Sequence, residues 1–419
     1  MPKIYIVDVT NRDGVQTSRL GLAKLEKTMI NMYLNEMGIH QSEFGFPFTH
    51  HEKNYIEANL ELAAMGVLQP IKLSGWCPMR AEEIKESFKS GKLKNVNLSL
   101  STSQQMTEGK FSGRIVRNPE ENPAASNLLD IMTKNVQLAK SLGAEIVGVN
   151  AEDASRTDDE YLVRFALRAK EAGADRFRYC DTLGYDDPFT IYRRIRMIAE
   201  EVKMPIELHC HNDLGLGVAC SVAGAKAAID GGVDAYINTA INSMGERAGN
   251  ADLVSVILAM KKASGLAGKY LLDEQVDLTK AWKIAKYASY AFGVPIPMNQ
   301  VGVGANAFAH ESGIHADGAL KNRRNYELYD FEELGRGEPE IIDTGREITA
   351  GEYSGIKGFR NVYDHLEIEF HNDKEANDIL ELVRYANVHT QKPLVDDELR
   401  FIAKYPDMAR RIMTMTPLR

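Results

Sequence analysis

The stretch Met204-Pro205-Ile206-Glu207-Leu208-His209-Cys210-His211-Asn212-Asp213-Leu214-Gly215-Leu216-Gly217 reads as a short buried strand after a proline stop. A turn follows, and then a helix of small residues over 218–229. Alternate residues of a strand share a face, so His209 and His211 project together from its end. Two imidazoles on one face suit a divalent cation, although a solvated surface pair has the same spacing. The surroundings of this strand decide between the two.

Apolar, β-rich runs recur before it and after it, at 4–9, 42–47, 71–76, 95–100, 145–150, 176–180, 205–209 and 235–240. Helical spacing fills most of the intervals, at 22–37, 54–65, 81–89, 127–142, 159–172 and 185–202, and glycines stop several of these helices. Eight strands alternating with helices over about 260 residues have the rhythm of an α/β fold of the (β/α)8 TIM-barrel type. An open doubly wound sheet is the competing architecture. The barrel is preferred because no G-x-G-x-x-G follows the first strand and because polar clusters recur at the strands' C-terminal ends. In a barrel those ends meet on one rim.

Past Gly265 the rhythm breaks. A helix over 279–292 leads into a glycine-rich run, 299–318, holding His310 and His315, and two further helical stretches lie at 374–388 and 396–413. The expected division is a barrel domain over 1–270 and a C-terminal helical extension over 271–419, packed on or arching over the barrel.

Composition narrows the function. Apolar residues make up 44% of the 419 and charged residues 26%, with a formal charge of −9. No basic tract offsets that charge, so general nucleic-acid binding is not expected. Four cysteines (Cys77, Cys180, Cys210, Cys220) include no C-x-x-C pair, so neither a zinc knuckle nor a disulfide framework is indicated. No apolar run approaches the roughly 20 residues of a membrane span, and no leader is evident. The expected compartment is the cytoplasm.

Several side chains are candidates for chemistry. Asp13 follows the first strand and would reach the rim that His209 and His211 reach. One carboxylate and two imidazoles around a cation leave positions open for a substrate oxygen, so the cation would polarise a carbonyl. Arg12 could steady a developing alkoxide or enolate; its alternative role is a surface salt bridge. Glu152, Thr182 and Asn250 lie at or after other strand ends. A glutamate there could relay protons or simply cap a helix. Gly245-Glu246-Arg247-Ala248-Gly249-Asn250 needs close backbone approach at its glycines. His310 to Gly318 matters only if the extension reaches a barrel mouth, its own or a neighbour's.

Together, Asp8 to Gln16, His209 to Gly215, Gly245 to Asn250 and Ala309 to Gly318 resemble the Claisen-condensing DRE-TIM metallolyases: the 2-isopropylmalate, citramalate and homocitrate synthases and the Re-face citrate synthases. The resemblance spans about residues 4–325. It implies an acyltransferase that condenses acetyl-CoA with a 2-oxo acid and releases CoA. Asp13, His209 and His211 would bind a divalent metal, Mg2+ or Mn2+ before Zn2+ or Co2+, with Asn250 a further ligand or near neighbour. Arg12 would stabilise the enolate and alkoxide, with Gln16 beside it, and Thr182 would contact the oxo acid's carboxylate. Glu152 would assist proton transfer. His315 would take part in removing the acetyl proton, delivered by the partner in a homodimer that exchanges its extensions.

Three departures refine this expectation. Val15 stands where the family has glutamate. The run Gly148-Val149-Asn150-Ala151 lacks the arginine that lysine-pathway homocitrate synthases place shortly before Glu152. The chain also lacks room for the separate feedback domain of long isopropylmalate synthases. A 2-oxo dicarboxylic acid is therefore preferred, giving homocitrate or Re-citrate. An isopropylmalate or citramalate synthase is the alternative, and a retro-aldol lyase on the same barrel a more distant one. A distal carboxylate demands a cation, and the candidates are His50, His51, Arg80 and Lys110.

Overall fold

The computed structural model describes residues 1–118, 120, 126–340 and 345–415. Eight strands close into a parallel barrel: β1 (Ile4–Asp8), β2 (Gln41–Gly45), β3 (Lys72–Pro78), β4 (Asn95–Ser101), β5 (Ile146–Glu152), β6 (Arg176–Asp181), β7 (Ile206–Cys210) and β8 (Ala235–Thr239). Each pairs with its neighbours in sequence, and β8 closes on β1 through Ile4↔Ala235 to Asp8↔Thr239. The eight expected strands are all present, within a few residues at each end.

The barrel interior departs from the usual filling of branched aliphatics. Near its floor Tyr5 stacks on Tyr236 with ring centroids 4.9 Å apart, and the Arg176 guanidinium sits over Tyr236 at 4.4 Å. Above them lies a charged layer: Glu43, Asn97, Arg178 and Asn238 from the even-numbered strands, with Glu207 of β7, all fully buried. This layer leaves no room for a side chain at position 148 of β5, because a Cβ there would meet Asn97 Oδ1 at 1.8 Å.

The chain leaves the barrel at its floor, where Asp273 N–H donates to the Ile4 carbonyl at 2.8 Å. The helix Ala281–Phe292 then packs on the barrel helix Lys24–Glu36, and the last helix packs on Lys53–Ala64. The expected single helix over 396–413 is two, Asp396–Lys404 and Pro406–Met413. Pro406 has no N–H to continue the ladder and disfavours a helical Tyr405. Helices Gln104–Phe111, Leu253–Lys262, Gly313–Lys321 and Ile356–His365 were not anticipated. Among the described residues no helix is long and apolar enough to cross a membrane.

Polar groups fasten the extension to the barrel: Tyr33 Oη donates to Asp397 Oδ2 at 2.7 Å and Lys392 Nζ pairs with Glu26 at 2.8 Å. Within the extension, Tyr287 Oη donates to Glu398 Oε1 at 2.7 Å and Lys283 pairs with Asp397 at 2.9 Å. Burial first, and then nearby Glu26, pushes the Glu398 carboxyl up to about 7, against the pull of Tyr287, the Val395 amide and Lys392. An unfolded glutamate releases its proton near pH 4.3, so from there to about pH 7 the folded chain binds more protons. The contribution of this group to stability falls as pH rises through that window, by roughly 3 kcal/mol. Buried Asp8, also raised to about 7 by desolvation, acts in the same direction. Thermal unfolding between pH 5 and 8 should therefore show the wild-type midpoint falling relative to that of Glu398→Gln as pH rises. A slope that Glu398→Gln leaves unchanged would show that this carboxyl is not the titrating group.

Candidate active site

The C-terminal mouth of the barrel holds a pocket of about 240 Å³ whose walls include Arg12, Asp13, Gln16, Thr182, His209 and His211. Alternation along β7 brings both imidazoles to one point. Asp13 Oδ2 lies 3.1 Å from His209 Nε2 and 3.5 Å from His211 Nε2, and one potential ligand atom from each of the three lies within 4.8 Å of the others. All three residues are buried. Asp13 gets there because β1 ends in a tight turn, with the Asp13 amide donating to the Val9 carbonyl at 2.8 Å.

Hydrogen bonding determines which nitrogen faces the carboxylate. Glu207 Oε1 accepts from Asn238 Nδ2 at 2.7 Å, so the Asn238 carboxamide turns its oxygen to His209 Nδ1, 3.1 Å away. Nδ1 then carries a proton, which leaves Nε2 as the ring atom turned to the Asp13 carboxylate. In the neutral form of that tautomer, Nε2 and the carboxylate oxygen 3.1 Å away are two donors for one cation. Burial first, and then His209, lowers His211 to about 3, so it is a neutral imidazole. Burial alone would raise the Asp13 carboxyl, but Arg12 and the imidazoles hold it well below the usual carboxylate range. Asn250 Oδ1 is buried without a hydrogen-bond partner beside the group, where the Asn250 backbone bridges to that of His211. A carboxylate, two neutral imidazoles and a spare carboxamide oxygen are the donors a divalent cation takes, so the residues fit a metal.

Arg12 is fixed in the same way. Its Nε donates to Glu43 Oε2 at 2.7 Å, which leaves the outer guanidinium nitrogens for the pocket. Arg178 joins the two supports, with Nη2 2.9 Å from Glu43 Oε1 and 2.6 Å from Glu207 Oε1. Both carboxyls fall below their ordinary value although burial opposes it, Glu43 to about 2, because the arginines outweigh desolvation. One buried guanidinium thus ties the support of Arg12 to the support of His209.

The other expected residues divide into two groups. Gln16, Glu152 and Thr182 line the pocket. Both Glu152 carboxylate oxygens accept from Lys110 Nζ, at 2.7 and 2.9 Å, and Oε2 also accepts from Ser101 Oγ at 2.5 Å. Thr182 Oγ1 accepts from the Asp153 amide at 2.9 Å. The Gly245–Asn250 loop needs its glycines as expected: Gly249 has φ +85°, and a Cβ there would meet the Ser243 carbonyl at 1.8 Å. His315, by contrast, is exposed and stacks on Tyr326 at 4.2 Å, outside the pocket of its own chain. Val15 is half-buried and also outside the pocket lining. Of the cations suggested for a distal carboxylate, Lys110 is committed to Glu152 and Arg80 to Glu83, and neither histidine lines the pocket. Glu246 and Arg247, from the loop expected to be functional, line it, as do Arg178 and Asn150, which were not proposed as site residues. Polar and charged residues at alternate strand positions (Gln41-x-Glu43, Arg176-x-Arg178, Glu207-x-His209) were the available signal for the layer beneath the pocket.

Asn238→Ala frees the His209 tautomer and is expected to weaken divalent-cation binding about 10- to 100-fold, read by titration calorimetry. His209→Ala should abolish that binding with far-UV circular dichroism unchanged. Wild-type affinity in Asn238→Ala would sink the tautomer argument.

Comparison with known proteins adds to the geometry. Residues 3–287 match the HMGL-like family, and residues 303–390 match the homocitrate synthase post-HMGL domain-like family. The chain is 60% identical to a citrate (Re)-synthase of Dehalococcoides mccartyi, over 100% of this chain and 99% of the relative. It is 37% identical to 2-isopropylmalate synthase 2 of Caldanaerobacter subterraneus, over 95% and 94%, and 32% identical to homocitrate synthase 1 of a Nostoc species, over 96% and 98%. Among solved structures, a hydroxymethylglutaryl-CoA lyase from Pseudomonas aeruginosa superposes with a TM-score of 0.55 at 17% identity, over 71% of this chain and 95% of that one, a likeness of fold. The barrel, its closing order and these matches agree: the chain belongs to the HMGL-like family, within its branch of acyl-condensing synthases.

Proposed function

We propose that the protein condenses acetyl-CoA with oxaloacetate, giving citrate and free CoA with Re-face stereochemistry. The observation that carries this choice of acid is the 60% identity, end to end, with a relative named citrate (Re)-synthase. The site supports the chemistry. We read 1–270 as the catalytic barrel and 271–419 as an extension exchanged between two copies, with the reaction in the cytoplasm.

In the reaction, the acetyl methyl group of the thioester gives up a proton. Its carbon bonds to the ketone carbon of oxaloacetate, whose C=O π pair becomes an alkoxide that takes up a proton. Water then cleaves the thioester into a carboxylate and the CoA thiol. Asp13, His209 and His211, with Asn250 alongside, would hold a divalent ion, Mg2+ or Mn2+ ahead of Zn2+ or Co2+, which supplies Lewis acidity toward the oxo acid's oxygens. Arg12, its Nε locked by Glu43, directs its remaining donors at the oxygen that gains charge. Thr182 and Gln16 orient the acid. Glu152, held by Lys110, moves the proton together with His315. Because His315 lies outside its own chain's pocket, a second copy has to deliver it. Ile314 and Leu320 on the same helix are 76% and 89% exposed, as expected of a segment that packs elsewhere.

Purified protein incubated with acetyl-CoA, Mg2+ or Mn2+ and, separately, oxaloacetate, 2-oxoglutarate, pyruvate or 2-oxoisovalerate tests the reading by thiol release. Release with oxaloacetate is expected. Release with 2-oxoglutarate alone reassigns the product to homocitrate, and none with any acid overturns the acyltransferase. His315→Ala should lower kcat at least 100-fold while leaving the metal affinity at its wild-type value.

A further inference from the structure

Next to Glu152 stands a residue to which the chemistry above gives no part. Asp153 has no exposed surface and does not line the metal pocket, so it meets no substrate. Its backbone is nevertheless left-handed, with φ +64°, directly after the last residue of β5. Aspartate tolerates that region better than most residues do, but its surroundings must hold it there. Every polar group of Asp153 is engaged. The carboxylate accepts from Arg156 Nη2 at 2.7 Å, from Arg156 Nε at 3.0 Å and from Ser103 Oγ. The carbonyl accepts from Thr157 Oγ1 at 2.9 Å, and the amide donates to Thr182 Oγ1 at 2.9 Å.

Two of these bonds lead to the pocket. A threonine hydroxyl that accepts an amide proton keeps its own proton to donate, and Thr182 lines the pocket where a carboxylate needs a donor. Ser103 leads to the other side. While donating to Asp153, its Oγ accepts from the Met106 amide at 3.2 Å and so caps the helix Gln104–Phe111. The last turn of that helix carries Lys110, whose ammonium bridges both Glu152 oxygens at 2.7 and 2.9 Å. The helix is thus fixed to residue 153 at its start and to residue 152 at its end. We infer that Asp153 is a positioning residue for both halves of the reaction. Its amide aims the Thr182 hydroxyl at the oxo acid, and its carboxylate, through Ser103 and this helix, aims Lys110 at Glu152. The inference rests on the acyltransferase reading above. An aspartate that only stabilised the turn after β5 would find its partners in its own loop, as it does in Arg156 and Thr157. The bonds to Ser103 and Thr182 reach instead into the loops after β4 and β6, the two strands that flank β5.

Two double-mutant cycles on the full-length protein with its metal test this. Asp153→Gly permits the left-handed backbone but removes the carboxylate and loosens the amide. It should lower kcat at least tenfold and raise the KM for oxaloacetate several-fold, with the metal affinity at its wild-type value. The loss in kcat should shrink to within twofold when Asp153→Gly is added to Lys110→Met. The rise in KM should likewise vanish when it is added to Thr182→Val. An aspartate that serves the fold alone gives effects that multiply in both backgrounds, and multiplication in either one overturns the assignment. A wild-type kcat in Asp153→Gly, or a metal affinity lost with it, overturns it equally. Should Asp153→Gly fail to fold, Ser103→Ala takes its place: kcat should fall in the wild-type background and hold in Lys110→Met, and a fall in both overturns the assignment. Failure of the underlying reading looks different: the wild type itself releases no thiol with any of the four acids.

Discussion

Arg178 is the buried charge on which the site depends. It sits at the barrel axis with no exposed surface, between Glu43 and Glu207, which are equally buried. Removing three charges from water is costly, and such clusters seldom stabilise a fold better than well-packed hydrophobes would. Branched aliphatics in this layer would fill the same volume. They could not, however, turn the carboxamide of Asn238 or anchor the Nε of Arg12. The layer is best understood as a platform that fixes the direction of donor and acceptor atoms above it, at some expense of stability.

The direction of those atoms matters because the chemistry proposed at the mouth is electrostatic. A guanidinium free to rotate would have to reorganise as charge develops on the substrate oxygen, and that reorganisation would enter the barrier. With its Nε held, Arg12 starts in place. His209 likewise offers a lone pair of fixed direction, because the proton on its other nitrogen is committed to Asn238. Both restraints begin at the same guanidinium, so the cation site and the anion-stabilising site are coupled through the barrel's interior.

Much of this was legible in the sequence. Strand and helix rhythm gave the barrel, and the i, i+2 spacing of His209 and His211 placed both rings on the rim with Asp13. The glycines of the Gly245–Asn250 loop announced a close approach that the structure contains. Other features were hidden for physical reasons. Alternating charges on β2, β6 and β7 look like solvated faces unless the strands are already known to line an axis. The helix Gly313–Lys321 buries no residue of its own, so no apolar stripe marks it. Pro406 was visible and still read through, because the apolar spacing on either side of it stays in phase. Where the exposed surface of the helix Gly313–Lys321 goes is written in no local pattern.

Charge balance limits how this pocket can recognise a dianionic acid. The residues lining it include three arginines, Arg12, Arg178 and Arg247, against three carboxylates, Asp13, Glu152 and Glu246. Two further buried carboxylates, Glu43 and Glu207, lie just beneath. Each cation is already engaged: Arg12 with Glu43, Arg178 with both buried glutamates, Arg247 with Asp213 and Lys110 with Glu152. The protein side chains by themselves therefore make a poor anion receptor, despite their number. Two additional positive charges at Asp13, His209 and His211 would cancel the net negative charge of the mouth. On this argument the acid's distal carboxylate needs no arginine of its own, and neutral donors can complete its recognition. Asn150, buried with its carboxamide oxygen unpaired, stands where the pocket needs a polar but uncharged wall.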